Sequence, residues 1–126
     1  MKPLRQAFSW WCFANRGIDP DTLLAGAARI GYEGVDLIDE GLWPKARRHG
    51  LAITAIGGHG SIGDGLNRSE NAARIQRELR KNIAKARQWK IPVLICFSGN
   101  RYGGTDDKAA LDQCAKTLSP IASEAT

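Results

Sequence analysis

The sequence predicts an α/β protein built from four strand–helix units with parallel strands. Short apolar runs alternate with amphipathic stretches, which is typical of parallel strands joined by helices. The apolar runs are mostly unbroken, as in strands that are buried on both faces. Glycines and basic residues collect where the helices would end. Two architectures fit this order: a small open doubly wound sheet, or half of an eight-stranded TIM barrel.

Length and composition indicate a single globular domain over residues 1–126. The chain is 43% hydrophobic and 25% charged, ordinary values for a soluble protein. No apolar stretch reaches the roughly 18 residues that a membrane helix requires. The N-terminus has neither the apolar core nor the cleavage site of a signal peptide. We therefore expect a cytoplasmic protein with no membrane partner.

Cysteine usage and net charge exclude some classes of function. Cys12, Cys96 and Cys114 are odd in number and far apart, which favours reduced thiols packed as small hydrophobes over disulfides or a zinc ribbon. The net charge of +5 raises the question of nucleic acid. Much of the excess lies within residues 68–90, where acidic residues interrupt it and aromatic residues are nearly absent. A solvated helix face explains this pattern at least as well, so nucleic acid is not the expected partner.

Four strands are predicted, each from a short apolar run. They cover residues 7–13, 34–38, 51–56 and 92–97. Gly31 and Gly50 stand where helix C-caps would precede the second and third strands, since glycine adopts the left-handed conformation of a C-cap at low cost.

Four helices follow the strands. Asp19 is predicted to cap the first and Asp39 a short second one. The third is expected from about Ser69 to Trp89, and the fourth from about Asp106, with Pro120 kinking or ending it. Spacings of three or four predict the following core-facing residues: Leu23, Leu24, Ala27, Ala28, Leu42, Trp43, Ala46, Ala72, Ile75, Leu79, Ile83, Ala86, Leu111, Cys114, Leu118 and Ile121.

Polar or aromatic side chains accompany the carboxyl ends of the predicted strands, where parallel sheets and barrels bind ligands. Asp36 interrupts the apolar second strand, and a carboxylate there is costly unless it is paired or faces a polar cavity. Trp11 is interpreted either as packing or as the wall of a sugar pocket. Asn100 and Arg101 offer amide and guanidinium donors for a hydroxyl or carboxylate. These four residues are candidate substrate contacts.

The stretch GGHGSIGDG at residues 57–65 sets one histidine among five glycines. It has neither the GK[ST] ending of a P-loop nor the GxGxxG order of a dinucleotide-binding turn. Its glycines would let the backbone approach whatever His59 addresses. A histidine there can donate a hydrogen bond, relay a proton, bind metal or simply fill the loop. His59 is the candidate catalytic residue and Gly58 a candidate substrate contact; with two histidines in the chain, no metal-ligand set is predicted.

Three stretches resemble the hydroxypyruvate isomerase-like sugar (phosphate) isomerases and epimerases of the xylose isomerase-like TIM barrel superfamily: SWWCFANRGIDPDTLLAGAARIGYEGVDL, LWPKARRHGLAITAIGGHGSIGDGLNR and IPVLICFSGNR. The resemblance covers nearly the whole chain. GYEGVDL is generic to the superfamily, whereas GHGSIGDGLNR and ICFSGNR together are more specific. The resemblance places Asp36 at the acidic position of the second strand, where glutamate is usual, and His59 at the polar position that follows the third.

The resemblance implies an enzyme of carbohydrate metabolism that moves a proton through an enediol or enediolate. A divalent metal (Mg, Mn, Co or Zn) would stabilise the negative charge of the enediolate in the full-length enzyme. Its protein ligands come from strands five to eight of the family's barrel, whereas residues 118–126 fall in the helix before strand five. We therefore expect this chain alone to be the substrate-side half of the barrel, to hold no metal and to be inactive. Open edges at strands one and four favour a homodimer.

Two alternatives stay open. One is a metal-dependent DNA repair enzyme like the family-two apurinic endonucleases of the same superfamily, which would need more metal-binding histidines and a basic groove at the strand ends. The other is a non-catalytic half-barrel that binds a small polyol or acid through His59, Asn100 and Arg101. Tight binding of a divalent metal by this chain would favour the endonuclease.

Overall fold

The computed structural model describes residues 4–125 of the chain. It is an α/β structure with a parallel four-stranded sheet in the order β1-β2-β3-β4, which confirms the predicted α/β class with parallel strands, while the half of a TIM barrel stays a prediction. The strands are β1 (Ala7–Ser9), β2 (Gly34–Asp36), β3 (Ala52–Gly57) and β4 (Val93–Ile95). The main helices are α1 (Pro20–Ile30), α2 (Trp43–Arg48), α3 (Ala72–Trp89) and α4 (Asp107–Ala122).

The strands pair in chain order. In the β1–β2 pair Ala7 lies beside Gly34, and in the β2–β3 pair Gly34 lies beside Ala52. Gly34 has no room for a side chain, because a Cβ there would come within 2.5 Å of the Thr54 methyl group. The register shifts between Val35 and Asp36, so the end of β2 is irregular.

β1 and β2 are shorter than the sequence predicts. The predicted first strand over 7–13 ends at Ser9, and Trp10–Cys12 form a turn of 3-10 helix instead. β2 stops at Asp36, because Leu37 has a φ of 52°, a left-handed conformation that a bulky residue rarely adopts. Ser9 pairs with Asp36, the last residue of β2, so the β1–β2 ladder ends at this pair.

β3 is within one residue of its prediction at each end, whereas β4 covers only the middle of the predicted 92–97. Beyond Ile95 the backbone of the chain continues into hydrogen bonds with the glycine-rich loop rather than with a strand. The apolar run therefore predicts the strand but not where its ladder ends.

The helix signals hold with three differences. Asp19 caps α1 by accepting a hydrogen bond from the backbone N–H of Thr22 at 3.0 Å. The side chain of Asp39 makes no cap bond, because a turn of 3-10 helix precedes α2. Pro120 lies inside α4, which continues to Ala122. Leu111, predicted to face the core, is 69% exposed, whereas the predicted Cys114, Leu118 and Ile121 do pack against the core, and Thr117 is also buried.

The chain divides into two compact units. One comprises residues up to 56 with Trp89–Val93, and the other comprises Gly57–Gln88 with the residues from 94 on. In the first unit Trp43 is buried, donates its indole N–H to the carbonyl of Ile38 at 3.0 Å, and meets Trp89 edge to face with ring centroids 5.5 Å apart. This contact fastens the amino end of α2.

The core of the second unit forms along α3. Its buried members are Leu66, Ile75, Leu79, Ile83 and Ile121, with Leu94, Cys96, Cys114 and Leu118 partly buried against them. The stripe predicted on α3 is confirmed, since Ile75, Leu79, Ile83 and Ala86 are all buried. Within the described residues, no helix combines the length and the apolarity needed to cross a membrane.

Candidate functional site

His59 lies in the second unit with 6% of its surface exposed, and both of its ring nitrogens are hydrogen-bonded to backbone. The N–H of Phe97 donates to Nε2 at 3.0 Å, and Nδ1 lies 2.9 Å from the carbonyl oxygen of Gly60. Because a backbone N–H is always a donor, Nε2 must be unprotonated, and the proton must sit on Nδ1, where it is donated to Gly60. In this geometry His59 is a neutral link between two backbone segments.

The glycine-rich loop and the segment after β4 are joined along their lengths by backbone hydrogen bonds. The N–H to carbonyl pairs are Gly58 to Ile95 at 2.8 Å, Leu66 to Phe97 at 3.0 Å, Asn67 to Ser98 at 2.8 Å and Asn100 to Gly63 at 2.8 Å. Gly65 makes this approach possible, since a Cβ there would overlap the backbone of Phe97 and Gly99. The glycines therefore serve a close contact of backbone with backbone.

A polar stripe on α3 and the turn before it holds the other side of the loop. Asn71 donates to the carbonyl of Gly65 at 3.1 Å, and Asn82 donates to that of Gly58 at 2.9 Å. Between them, Arg74 donates to the carbonyl of Asp64 at 2.9 Å, and Glu78 accepts from the N–H of Gly60 at 2.8 Å. The sequence prediction missed this stripe, although the residues recur at spacings of three and four beside the apolar stripe.

Glu78 is the ionisable group most shaped by this arrangement. The backbone N–H of Gly60 and the guanidinium of Arg74, 3.2 Å away, both stabilise its charged form and lower the pKa of the carboxyl below its usual 4.5, against the opposing effect of burial. Glu78 is thus a carboxylate that fixes the loop.

Gly58, a predicted substrate contact, is buried, and its backbone is fully used. Its N–H and carbonyl are bonded to Ile95 and Asn82, and a Cβ there would come within 2.8 Å of Leu79. The geometry therefore gives Gly58 a packing role against α3, and substrate contact at this position stays a prediction.

A cavity of about 350 Å³ opens in the second unit beside α4. It is lined by Asn67, Ser98, Gly99, Arg101, Tyr102, Thr105, Asp107, Ala110, Leu111 and Cys114. Arg101, a predicted substrate contact, is among them, with its guanidinium 2.5 Å from the carboxylate of Asp107. Asn100, the other donor predicted here, lies outside the lining, with its amide against Gly63.

Tyr102 forms one wall of the cavity and is held at both ends. Its hydroxyl donates to the carbonyl of Asn67 at 3.2 Å, and the guanidinium of Arg68 stacks 4.5 Å from the ring centroid. The side-chain nitrogen of Asn67 donates to the carbonyl of Asn100 at 2.9 Å, while its Oδ1 is buried without a hydrogen-bond partner among residues 4–125. An unsatisfied buried acceptor is uncommon and calls for an explanation.

Asp36 and Trp11 belong to the first unit. Asp36 closes β2 and is partly buried, and its Oδ1 has no hydrogen-bond partner within the described part of the chain. The next residue, Leu37, carries the strained positive φ and donates its N–H to the carbonyl of Ala55 at 2.9 Å. Strain beside an unpaired carboxylate oxygen is typical of functional positions. Trp11 is 63% exposed, so its ring is available at the surface.

The sequence prediction also missed an ionic cluster between α1 and α2. The carboxylate of Asp21 lies 2.6 Å from Lys45 Nζ and 3.0 Å from His49 Nε2. Hydrogen bonds from Lys45 and His49 lower the pKa of the Asp21 carboxyl. Asp21 and His49 are 28 residues apart, so the sequence alone does not show that they meet. Their contact follows from the packing of α1 against α2. The cluster ties two helices and engages the second histidine of the chain.

The donors present do not fit the divalent metal that the resemblance implies. Within residues 4–125, no group of three or more histidine, cysteine, aspartate or glutamate side chains is placed to hold a metal ion. His59 and His49 both have protein partners in this arrangement.

No protein-family model matches the chain, and no curated protein sequence matches it either. The likeness to sugar isomerases and epimerases therefore remains a prediction from the motifs.

Proposed function

We propose that this chain is the substrate-contacting half of a TIM-barrel sugar or hydroxy-acid isomerase of the hydroxypyruvate isomerase type. The observation that carries the proposal is Asp36, whose Oδ1 is buried at the carboxyl end of β2 without a partner in residues 4–125. A carboxylate kept in this state loses hydration, a cost that a substrate hydroxyl can offset by donating to it. The carboxyl ends of parallel strands are where β/α enzymes place such groups.

The donor and acceptor chemistry supports a small hydroxylated keto acid or sugar as the substrate. Asp36 can accept a hydrogen bond from a hydroxyl group of such a substrate. Since the described donors do not fit a metal, no step of the reaction is assigned to one within these residues.

The engagement of both histidines argues against the apurinic endonuclease alternative. His49 is bonded to Asp21, and His59 is bonded to two backbone segments. Histidines committed in this way are not free as metal ligands, on which that alternative depends.

The test compares hydroxypyruvate with pyruvate, which lacks the hydroxyl, by calorimetric titration of the purified chain. We expect hydroxypyruvate to bind at least about tenfold more tightly, the difference that one additional hydrogen bond to a charged group provides. Asp36→Asn should remove that preference while retaining the fold, because the amide is isosteric with the carboxylate.

Asp39→Asn is the matched control, since Asp39 is exposed three residues further on and caps nothing with its side chain. It should leave both affinities unchanged. Equal binding of hydroxypyruvate and pyruvate by the unaltered chain, or equal effects of the two substitutions, would contradict the proposal.

A further inference from the structure

The cavity beside α4 combines a buried acceptor with an exposed cation. Asn67 lines it with 5% of its surface exposed, and its Oδ1 has no partner among the described residues. Arg101 lines the same cavity and is 77% exposed at its side chain. A ligand that satisfies both groups must carry a hydrogen-bond donor and a negative charge on one small molecule.

Gly99 determines how near a ligand can come to the acceptor. It has a φ of 99°, lines the cavity, and stands so close to Asn67 Oδ1 that any Cβ would overlap that oxygen. The space beside the oxygen is therefore kept free of a side chain. Glycine is required at this place, since any side chain would collide with the oxygen.

The charge on Arg101 is available to a ligand. Its partner Asp107 is 76% exposed, and ion pairs between exposed groups are weak because water and salt screen them. A ligand carboxylate that is also held by the cavity wall can displace that of Asp107. Tyr102, fixed by its hydroxyl and by Arg68, offers a flat polar-edged wall for a chain of carbons with hydroxyl groups.

We propose that this cavity binds a polyhydroxylated organic anion, with a hydroxyl donating to Asn67 Oδ1 and the acid group paired with Arg101. Its volume of about 350 Å³ lies in the range of small-ligand sites and accommodates a sugar-acid-sized molecule. The inference deepens the proposed function by naming the ligand class of the second unit, and it rests on that function for the choice of a hydroxylated acid.

The experiment uses three six-carbon probes. Gluconate carries hydroxyls and a carboxylate, hexanoate carries the carboxylate alone, and sorbitol carries hydroxyls alone. Cys114 lines the cavity, so occupancy should slow its alkylation by iodoacetamide, measured by peptide mass spectrometry, while exposed Cys12 serves as the internal control. Gluconate should slow labelling of Cys114 at least fivefold at saturation and leave Cys12 unchanged. Equal protection by sorbitol or by hexanoate, or no protection by gluconate, would overturn the proposal.

Variants test the two contacts separately. Arg101→Gln should weaken gluconate binding at least tenfold by calorimetry, whereas Arg77→Gln, at an exposed position of α3, should change it less than twofold. Asn67→Asp should also weaken binding at least tenfold by placing a negative charge beside the anion. If it does not fold, Arg101→Gln still decides the question, because its side chain is exposed. Unchanged affinity in Arg101→Gln would refute the site.

The two proposals can fail independently. Loss of the Asp36-dependent preference for hydroxypyruvate, together with gluconate protection of Cys114, would remove the proposed function and leave the cavity as an anion site. The opposite pair of results would remove the cavity site alone.

Discussion

The backbone N–H of Phe97 donates a hydrogen bond to Nε2 of His59 over 3.0 Å, two residues beyond the end of β4. A side chain thus takes the position that a strand carbonyl would occupy in a longer ladder. The bond is enclosed, since His59 is 6% exposed and the ring of Phe97 meets the imidazole edge to face at 6.1 Å. The side chain of His59 therefore satisfies the backbone N–H of Phe97 beyond the end of β4.

Replacing His59 should destabilise the fold, and the loss should be smaller when the new side chain offers another acceptor in place of Nε2. His59→Ala leaves a buried N–H unsatisfied and a void, and should lower the free energy of unfolding by about 3 kcal/mol. His59→Gln places an amide oxygen near the position of Nε2 and should lose clearly less. Urea denaturation of both variants measures the difference, and equal losses would exclude the hydrogen bond as the cause.

The tautomer of His59 is a separate prediction. The donor at Phe97 requires the proton on Nδ1, so nitrogen-detected NMR of ¹⁵N-labelled protein near neutral pH should show a protonated Nδ1 and an unprotonated Nε2. The amide resonance of Phe97 should shift when His59 is replaced, because its N–H then loses the hydrogen bond to Nε2. A protonated Nε2 would contradict the described geometry.

Two glycines of the same loop should respond oppositely to alanine. Gly65→Ala drives a Cβ into the backbone of Phe97 and Gly99, and should cost about 3 kcal/mol of stability, the upper range for overpacking. Gly57→Ala meets nothing within 4 Å and needs no positive φ, so it should be neutral or stabilise by about 0.5 kcal/mol through the unfolded chain. Thermal unfolding followed by circular dichroism compares them, and similar melting temperatures would count against the close approach at Gly65.

The carboxylate of Glu78 should make stability depend on pH in acid. Because Gly60 N–H and Arg74 lower its pKa in the folded state, its contribution is complete above the usual value of 4.5 and is lost as pH falls below that value toward the folded pKa. Glu78→Gln should therefore cost no more than about 1 kcal/mol at pH 7 and should reduce the acid dependence of unfolding.

Glu70→Gln provides the control for Glu78, since Glu70 is exposed at the start of the same helical region. It should leave the slope of stability against pH between 3 and 5 unchanged. If both variants flatten that slope equally, the loop contact of Glu78 is not its source.

The three thiols should differ in reactivity. Burial raises the pKa of Cys96 and of Cys114, so less thiolate is present at pH 8 and reagents reach it less easily, whereas Cys12 is exposed. Ellman's reagent should modify exposed Cys12 at least about tenfold faster than Cys96, because burial limits both the ionisation of the Cys96 thiol and the access of the reagent to it. Single-cysteine variants assign each phase, and a fast phase from Cys96 would contradict its burial.

The sequence was most informative where one local pattern had one structural solution. The stripe of Ile75, Leu79 and Ile83 leaves α3 a single apolar face, and Asp19 and Asp106 mark helix starts because their carboxylates accept N–H groups three residues ahead. The prediction that Leu111 faces the core was wrong. Its spacing fits the apolar stripe of α4, yet in the structure it is exposed and lines the cavity.

The candidate site was predictable only in part. Asp36 is recognisable from the sequence as a carboxylate in an apolar strand, and Arg101 as a donor after one. Asn67 was not selected, because an asparagine in a loop carries no sign of which of its atoms will find partners. Its nitrogen bonds to a carbonyl 33 residues away, and its oxygen bonds to nothing in residues 4–125.

By itself the sequence determined the strand–helix alternation, the buried faces of the helices and the position of the glycine-rich loop, because these depend on spacing along the chain. Only the tertiary structure decided that the loop's glycines meet backbone, that His59 is bonded on both nitrogens, and that Asn67 keeps a buried acceptor. Hydrogen bonds act between atoms about 3 Å apart. Phe97 lies 38 residues from His59, and Asn100 lies 33 residues from Asn67, and a local pattern does not specify which distant groups the fold will bring to that distance.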